Sequence, residues 1–422
     1  MSTRSATIPY QTLYRELAAR FDLTREQTDL ADMGLPLSIR TFAFSSTREI
    51  HPAADFSRAS STFRALVSFF LENNPFSRRH FIRELESADR DVTENREFRY
   101  SIFLPQADAL PPRDSRRAIV LLHGLNEKSW HKYLPWAARL AERSGRPVIL
   151  FPIAFHMNRA PEAWSQPREM MGVAKERKRL FPELVANSFA NAALSHRIQF
   201  APHRFLTSGL ETYFNVVDLV RDIHDGRHPL FERGTSVDLF GYSIGAALSE
   251  LLLAANRDGL FSQSRAFLFC GGSILDQANP VSKAIIDAEA YRGVVGFLAE
   301  FARAPASALP LSDEQITTMS REIEIIRSTI FLDDRRDTRE WIMGTVGPRI
   351  QALVMERDQV FHPEGMIASW KTADGSSLFE ISVADPPFAY SHEQPLPPQA
   401  KEDEAVNRFF DEVMSRASEA LG

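Results

Sequence analysis

Among 422 residues there is one cysteine, Cys270, so no intramolecular disulfide can form and a disulfide-stapled secreted fold is excluded; a Cys-based metal cluster is nearly so. Stability has to come from packing. Long hydrophobic runs are lacking as well: the longest candidates, around Ala118–Leu122 and Val148–Phe155, are strand-sized, short of the roughly 18 apolar residues a spanning helix needs. No transmembrane segment is expected. The start, Met1-Ser-Thr-Arg-Ser-Ala-Thr, has no apolar signal core and neither end carries a lipidation box, so a cytoplasmic address is expected. Excess positive charge is also missing. With 49 Lys plus Arg against 55 Asp plus Glu and a net charge of -6, the chain is not built to track nucleic-acid phosphates, and no nucleic-acid partner is expected.

What is present is a globular composition, 44% hydrophobic and 25% charged, long enough for two or three domains or one large catalytic domain with insertions. One bias stands out: 31 phenylalanines against 8 tyrosines. Phe fills a core without needing a hydrogen-bond partner, which is the plain reading; an apolar substrate pocket or lid is the sharper one.

Residues 1–96 read as a mainly helical N-terminal extension, with helical spacing in Tyr10–Phe21 and Thr62–Leu71. From about Glu97 short apolar runs recur at Phe98–Leu104, Ala118–Leu122, Val148–Ile153, Val237–Phe240, Ala266–Phe269, Ile350–Met355 and Leu378–Val383. Helix-length amphipathic segments separate several of them, which predicts an α/β fold: a mostly parallel sheet with helices on both faces. Val406, Phe409, Phe410, Val413 and Ala417 share one stripe of a terminal helix. Two connections, about 156–208 and 276–348, exceed ordinary loops and read as helical insertions. In the second, Tyr291, Val294, Val295, Phe297 and Phe301 form a candidate apolar inner face for a lid.

The chemistry is concentrated at Gly241-Tyr242-Ser243-Ile244-Gly245, directly after a strand and before a helical run. This is a G-x-S-x-G nucleophile elbow in its expected context, where glycines flank a strained serine so that strand and helix can approach closely. A second motif, Ala118-Ile-Val-Leu-Leu-His-Gly-Leu-Asn126, is a strand ending in a His-Gly turn. On these two motifs the chain, over about residues 97–422, resembles the α/β-hydrolase superfamily, in a branch with an N-terminal extension.

The resemblance implies a triad in the order Ser, acid, His. Only His362 and His392 follow Ser243, and His392, in the loop after the final strand, takes the place of the general base. Asp358, after the Ile350–Met355 strand, fits the acid, with Glu356 as runner-up and Asp276 third; Met355 stands where the family customarily has a glycine. The backbone N–H groups of Leu125 and Ile244 would form the oxyanion hole. No cofactor or metal is implied.

His156, Asn158, Arg159 and Trp164 follow a core strand where ligands bind in open α/β folds and are weaker substrate-binding candidates, a loop bracing the insertion being the plainer reading. The charge run Lys175–Arg179 reads as a solvated helix face. The expected activity is hydrolysis of a carboxylic ester or thioester with a fairly apolar acyl group; acyl transfer on the same triad, or a non-catalytic binding protein on the same fold, stand as alternatives.

Overall fold

The computed structural model describes residues 8–47, 50, 85, 88–106, 116–305, 307, 309 and 311–422. Nine strands are present among them: β1 Gln27–Asp29, β2 Leu37–Ser45, β3 Glu97–Pro105, β4 Arg117–Leu122, β5 Val148–Leu150, β6 Ser236–Tyr242, β7 Ala266–Phe269, β8 Ile350–Met355 and β9 Glu380–Ala384. They form one sheet in the order β1-β2-β3-β5-β4-β6-β7-β8-β9. From β5 across to β9 all neighbours run parallel, while β1, β2 and β3 add an antiparallel flank.

The period-two alternation of strand side chains sorts the core into two layers. Ala118, Val120 and Leu122 of β4, with Val237 and Leu239 of β6, face the helices Arg204–His224 and Ile244–Ala255. Ile119 and Leu121, with Phe240 and Tyr242, face the helices Tyr10–Arg20, Tyr133–Ser144 and Asp403–Leu421. Both sheet faces are covered, which is why β4 and β5 read as unbroken apolar runs. The chain has the α/β-hydrolase fold. No helix among the described residues is long and apolar enough to cross a membrane.

The N-terminal segment departs from the helical expectation. The Tyr10–Arg20 helix is present, but β1 and β2 join the same sheet, β2 pairing along its whole length with β3 from Leu37↔Pro105 to Ser45↔Glu97. The sheet therefore runs through the boundary placed at residue 96. Only three residues of β2, Leu37, Ser38 and Ile39, form a continuous buried start before exposure begins to alternate, so no helical or fully apolar pattern marks it. The segment Thr62–Leu71 lies outside the described residues.

Two other expectations shift. β5 ends at Leu150 rather than Ile153 because the Ile153 N–H leaves the ladder and donates to His123 Nε2 at 2.9 Å. In the helix Ala288–Arg303, Val294, Phe297 and Phe301 are buried and Tyr291 is half-buried, whereas Val295 is exposed; it is off the stripe that three- and four-residue spacing defines. The charge run is not wholly solvated either. Arg177 is buried and makes two parallel hydrogen bonds to Asp287, 2.7 and 2.8 Å, and Asp287 also caps the helix Ala288–Arg303 through Ala290 N–H. One ion pair thus joins the two insertions.

The strand that carries the elbow is anchored at its start by Asp238. This fully buried carboxylate accepts from Arg117 Nη2 at 2.6 Å, Arg146 Nη1 at 2.8 Å and Arg265 N–H at 2.7 Å. Removing one partner of a buried ion pair costs about 3–5 kcal/mol because the remaining charge keeps its desolvation penalty. Asp238→Ala is therefore expected to lower unfolding stability by that amount in urea denaturation, and a change under about 1 kcal/mol would show that solvent screens this network.

Candidate active site

Ser243 follows β6 and is the N-cap of the helix Ile244–Ala255, with φ 57° and ψ -122°. That conformation is strained for any residue with a Cβ, and it is held by close backbone contact. A Cβ at Gly245 would stand 2.3 Å from the Leu122 carbonyl oxygen, and one at Gly241 would stand 2.6 Å from Ala246 Cα. A third glycine, Gly271 after β7, is equally constrained: its Cβ would lie 2.4 Å from the Ser243 carbonyl oxygen. Gly271 belongs to no local motif, so sequence reading missed it. Positive φ at Asn126, Phe155 and Cys270 places further strain at the ends of β4, β5 and β7.

The three sheet-end loops after β6, β8 and β9 bring Ser243, Asp358 and His392 together. Ser243 Oγ is 2.8 Å from His392 Nε2, and His392 Nδ1 is 2.9 Å from Asp358 Oδ2. Since the carboxylate only accepts, Nδ1–H donates to it, leaving Nε2 to accept from the serine hydroxyl. Asp358 is itself oriented: its Oδ1 accepts from the N–H groups of Val360 and Phe361 at 2.8 and 3.0 Å. His392 stacks on Tyr242, centroids 5.5 Å apart, and its backbone carbonyl accepts from the Tyr242 hydroxyl. All three members are buried. Glu356 is exposed, and Asp276 accepts from Leu332 N–H, 3.1 Å away, within the second insertion. His362 begins the helix Pro363–Trp370.

Leu125 and Ile244 both line a cavity of about 190 Å³ beside the serine. Ile244 opens a helix, where the first N–H groups have no intrahelical acceptor, and neither N–H donates to a described residue. The loop carrying Leu125 is fixed from several sides. His123 is buried; its Nδ1–H donates to Gly124 O at 2.8 Å while Nε2 accepts from Ile153. Burial and the neighbouring His156 hold its pKa well below the usual imidazole range, so the ring is neutral and structural. Gly124 N–H donates to the Tyr133 hydroxyl at 3.0 Å, and Asn126 Nδ2 donates to Ala190 O and Ala284 O, one carbonyl from each insertion.

The cavity wall is drawn from the core and both insertions, including Leu194, Ile198 and Phe205 from the first and Leu298, Ile326 and Met343 from the second. His156 lines it; Asn158 and Trp164 do not. Asn158 Nδ2 donates to Arg99 O at 2.8 Å, and Trp164 is buried in a separate cluster under the Arg197 guanidinium, 4.3 Å from its ring. Arg159 is fully buried in a network with Asn95, Glu211 and Asn215. The loop turns back into the protein after His156, which is why only its first residues reach the cavity. Among the described phenylalanines, Phe155 and Phe205 reach this wall; clusters such as Phe44, Phe98 and Phe151 are core filling.

A family model, described as a family of unknown function (DUF6051), matches residues 8–422. The chain belongs to DUF6051. No curated protein matches it. Among solved structures, this DUF6051 chain is similar to EstE1, a thermophilic carboxylesterase cloned from a metagenomic library, at 14% identity over 82% of this chain and 98% of that one, TM-score 0.39. It is similar to an esterase of Pyrobaculum calidifontis at 14% identity over 82% and 95%, TM-score 0.40. An acylaminoacyl peptidase of Pyrococcus horikoshii shares 10% identity over 76% and 39%, TM-score 0.37. Scores this low transfer no function.

Chemically, the DUF6051 site pairs a strained hydroxyl with an oriented imidazole next to an apolar cavity and a helix N-terminus. The glycine contacts give opposite signs for one substitution. Gly271→Ala should cost about 1–3 kcal/mol through overpacking, whereas Gly296→Ala, in a helix with nothing within 4 Å of the added Cβ, should gain about 0.5–1 kcal/mol. Thermal or urea unfolding of the two variants reads both, and a neutral Gly271→Ala would show that the elbow is not tightly packed.

Proposed function

We propose that the protein is a serine hydrolase that cleaves a carboxylic ester or thioester through an acyl-enzyme. The observation that carries this reading is the line of hydrogen bonds from Ser243 Oγ to His392 Nε2, 2.8 Å, and from His392 Nδ1 to Asp358 Oδ2, 2.9 Å. In this mechanism His392 takes the hydroxyl proton as Oγ attacks the carbonyl carbon, and Asp358 holds the imidazole tautomer and stabilises the imidazolium. The N–H groups of Leu125 and Ile244 stabilise the oxyanion, each such donor contributing on the order of 3 kcal/mol in known cases. His392 then protonates the leaving group, and water, activated by the same imidazole, releases the acyl group. None of these steps calls on a cofactor or metal. The apolar wall shared by both insertions supports a largely hydrocarbon acyl group and a lid role for the second insertion. Acyl transfer uses the same residues and differs only in the acceptor.

A fluorophosphonate probe should label the wild-type protein and not Ser243→Ala. Turnover of a p-nitrophenyl ester should fall at least about 10³-fold in Ser243→Ala and His392→Ala, and far less in His362→Ala. Equal labelling of wild type and Ser243→Ala would sink the reading. For the acid, Asp358→Asn should cost about 10³–10⁴-fold and Glu356→Gln little; the reverse result would transfer the role to Glu356.

A further inference from the structure

Two polar groups in the cavity wall have an atom that bonds to no described residue. Glu250, two turns along the helix from Ser243, is 4% exposed, and its Oε1 has no hydrogen-bond partner. The carboxyl is pressed against the turn after β7, since a Cβ at Gly272 would stand 2.8 Å from Oε1. His156 is 6% exposed; its Nδ1–H donates to Ala154 O at 2.8 Å, so Nε2 presents a lone pair, and this atom also has no partner. Both residues line the cavity. The arginines on the same wall differ, for Arg197 is engaged by Asp89 and by Leu85 O.

Burial without a hydrogen bond is costly for a carboxyl or an imidazole, and such groups call for an explanation. Burial drives the Glu250 pKa well above the ordinary carboxylate range, and burial lowers that of His156 to about 4. Near neutral pH the cavity wall therefore holds an uncharged imidazole acceptor at His156 and, at Glu250, a carboxyl whose charged form burial disfavours and whose oxygens can accept. A plain alkyl chain would leave both unpaired. A hydroxyl, with one donor and two lone pairs, complements either.

We infer that the cavity receives an acyl chain that is mainly hydrocarbon but carries a hydroxyl group, with Glu250 as the residue that recognises the hydroxyl and His156 as a second acceptor. This rests on the serine-hydrolase reading. Specificity follows from the physics of unpaired groups: a site built to hydrogen-bond a substrate hydroxyl discriminates against the analogue that lacks it much more strongly than an apolar pocket discriminates by size.

The test compares p-nitrophenyl octanoate with its 3-, 6- and 7-hydroxy analogues and with 6-aminohexanoate. For the wild type, kcat/KM should be at least about tenfold higher for one hydroxy isomer than for octanoate. Glu250→Leu should bring that ratio to about one, while Glu250→Gln, which keeps an acceptor oxygen, should retain most of it. Calorimetric binding of methyl octanoate and the matching methyl hydroxyoctanoates to Ser243→Ala reads the same preference without turnover. No preference in the wild type, a preference that survives Glu250→Leu, or stronger turnover of the amino ester would each overturn the inference. If fluorophosphonate labels Ser243 but the preference is absent, this inference alone fails. If Ser243 does not label and no ester is turned over, the hydrolase reading has failed.

Discussion

The site depends on a close approach of backbone to backbone at the ends of β4, β6 and β7. Gly245 is seated against the carbonyls of Leu122 and His123, and Gly271 against the backbone of Ser243, so the turn after β6 is wedged between its two neighbours in the sheet. This wedge holds Ser243 at positive φ, a conformation the residue would not keep alone. It also sets the start of the helix Ile244–Ala255, and with it the positions of the Ile244 N–H and of Glu250. A larger residue at any of these contacts would move the serine, the helix and the cavity wall together.

Buried polar residues divide into two kinds around that wedge. Most fasten loops: Asp238 anchors the start of β6, Arg159 ties the loop after β5 to the helix Arg204–His224, and Arg177 with Asp287 joins the two insertions. His123 belongs with them, its two ring nitrogens both engaged. Glu250 and His156 differ in their place: each lines the cavity and has an atom that bonds to no described residue. A buried polar group left unsatisfied lowers stability, and at these two the cost falls in the wall of the cavity.

Much of the parallel sheet was legible because its strands are covered on both faces and so are apolar without interruption, as in β4 and β7. Ser243 was legible because the elbow needs its glycines within two residues, and His392 because few histidines follow the serine. The antiparallel flank was not. β2 is half-exposed toward its end, and its identity as a strand comes from pairing with β3, a partner more than 50 residues away in the chain. Asn158 and Trp164 were misplaced for a similar reason: position after a strand gives the start of a loop, not where the loop goes.

The amino-acid sequence by itself determined the α/β class, the strained serine between strand and helix, and the candidates for acid and base, because each follows from local pattern or chain order. Tertiary structure alone decided which acid meets the imidazole. Asp358 and Glu356 lie two residues apart, and only the turn after β8 buries one beside His392 while leaving the other in solvent. It alone revealed Gly271 beneath the serine and Glu250 in the cavity wall. Contacts between segments far apart in the chain are fixed by sheet register and helix packing, and neither leaves a local mark on the residues that come to touch.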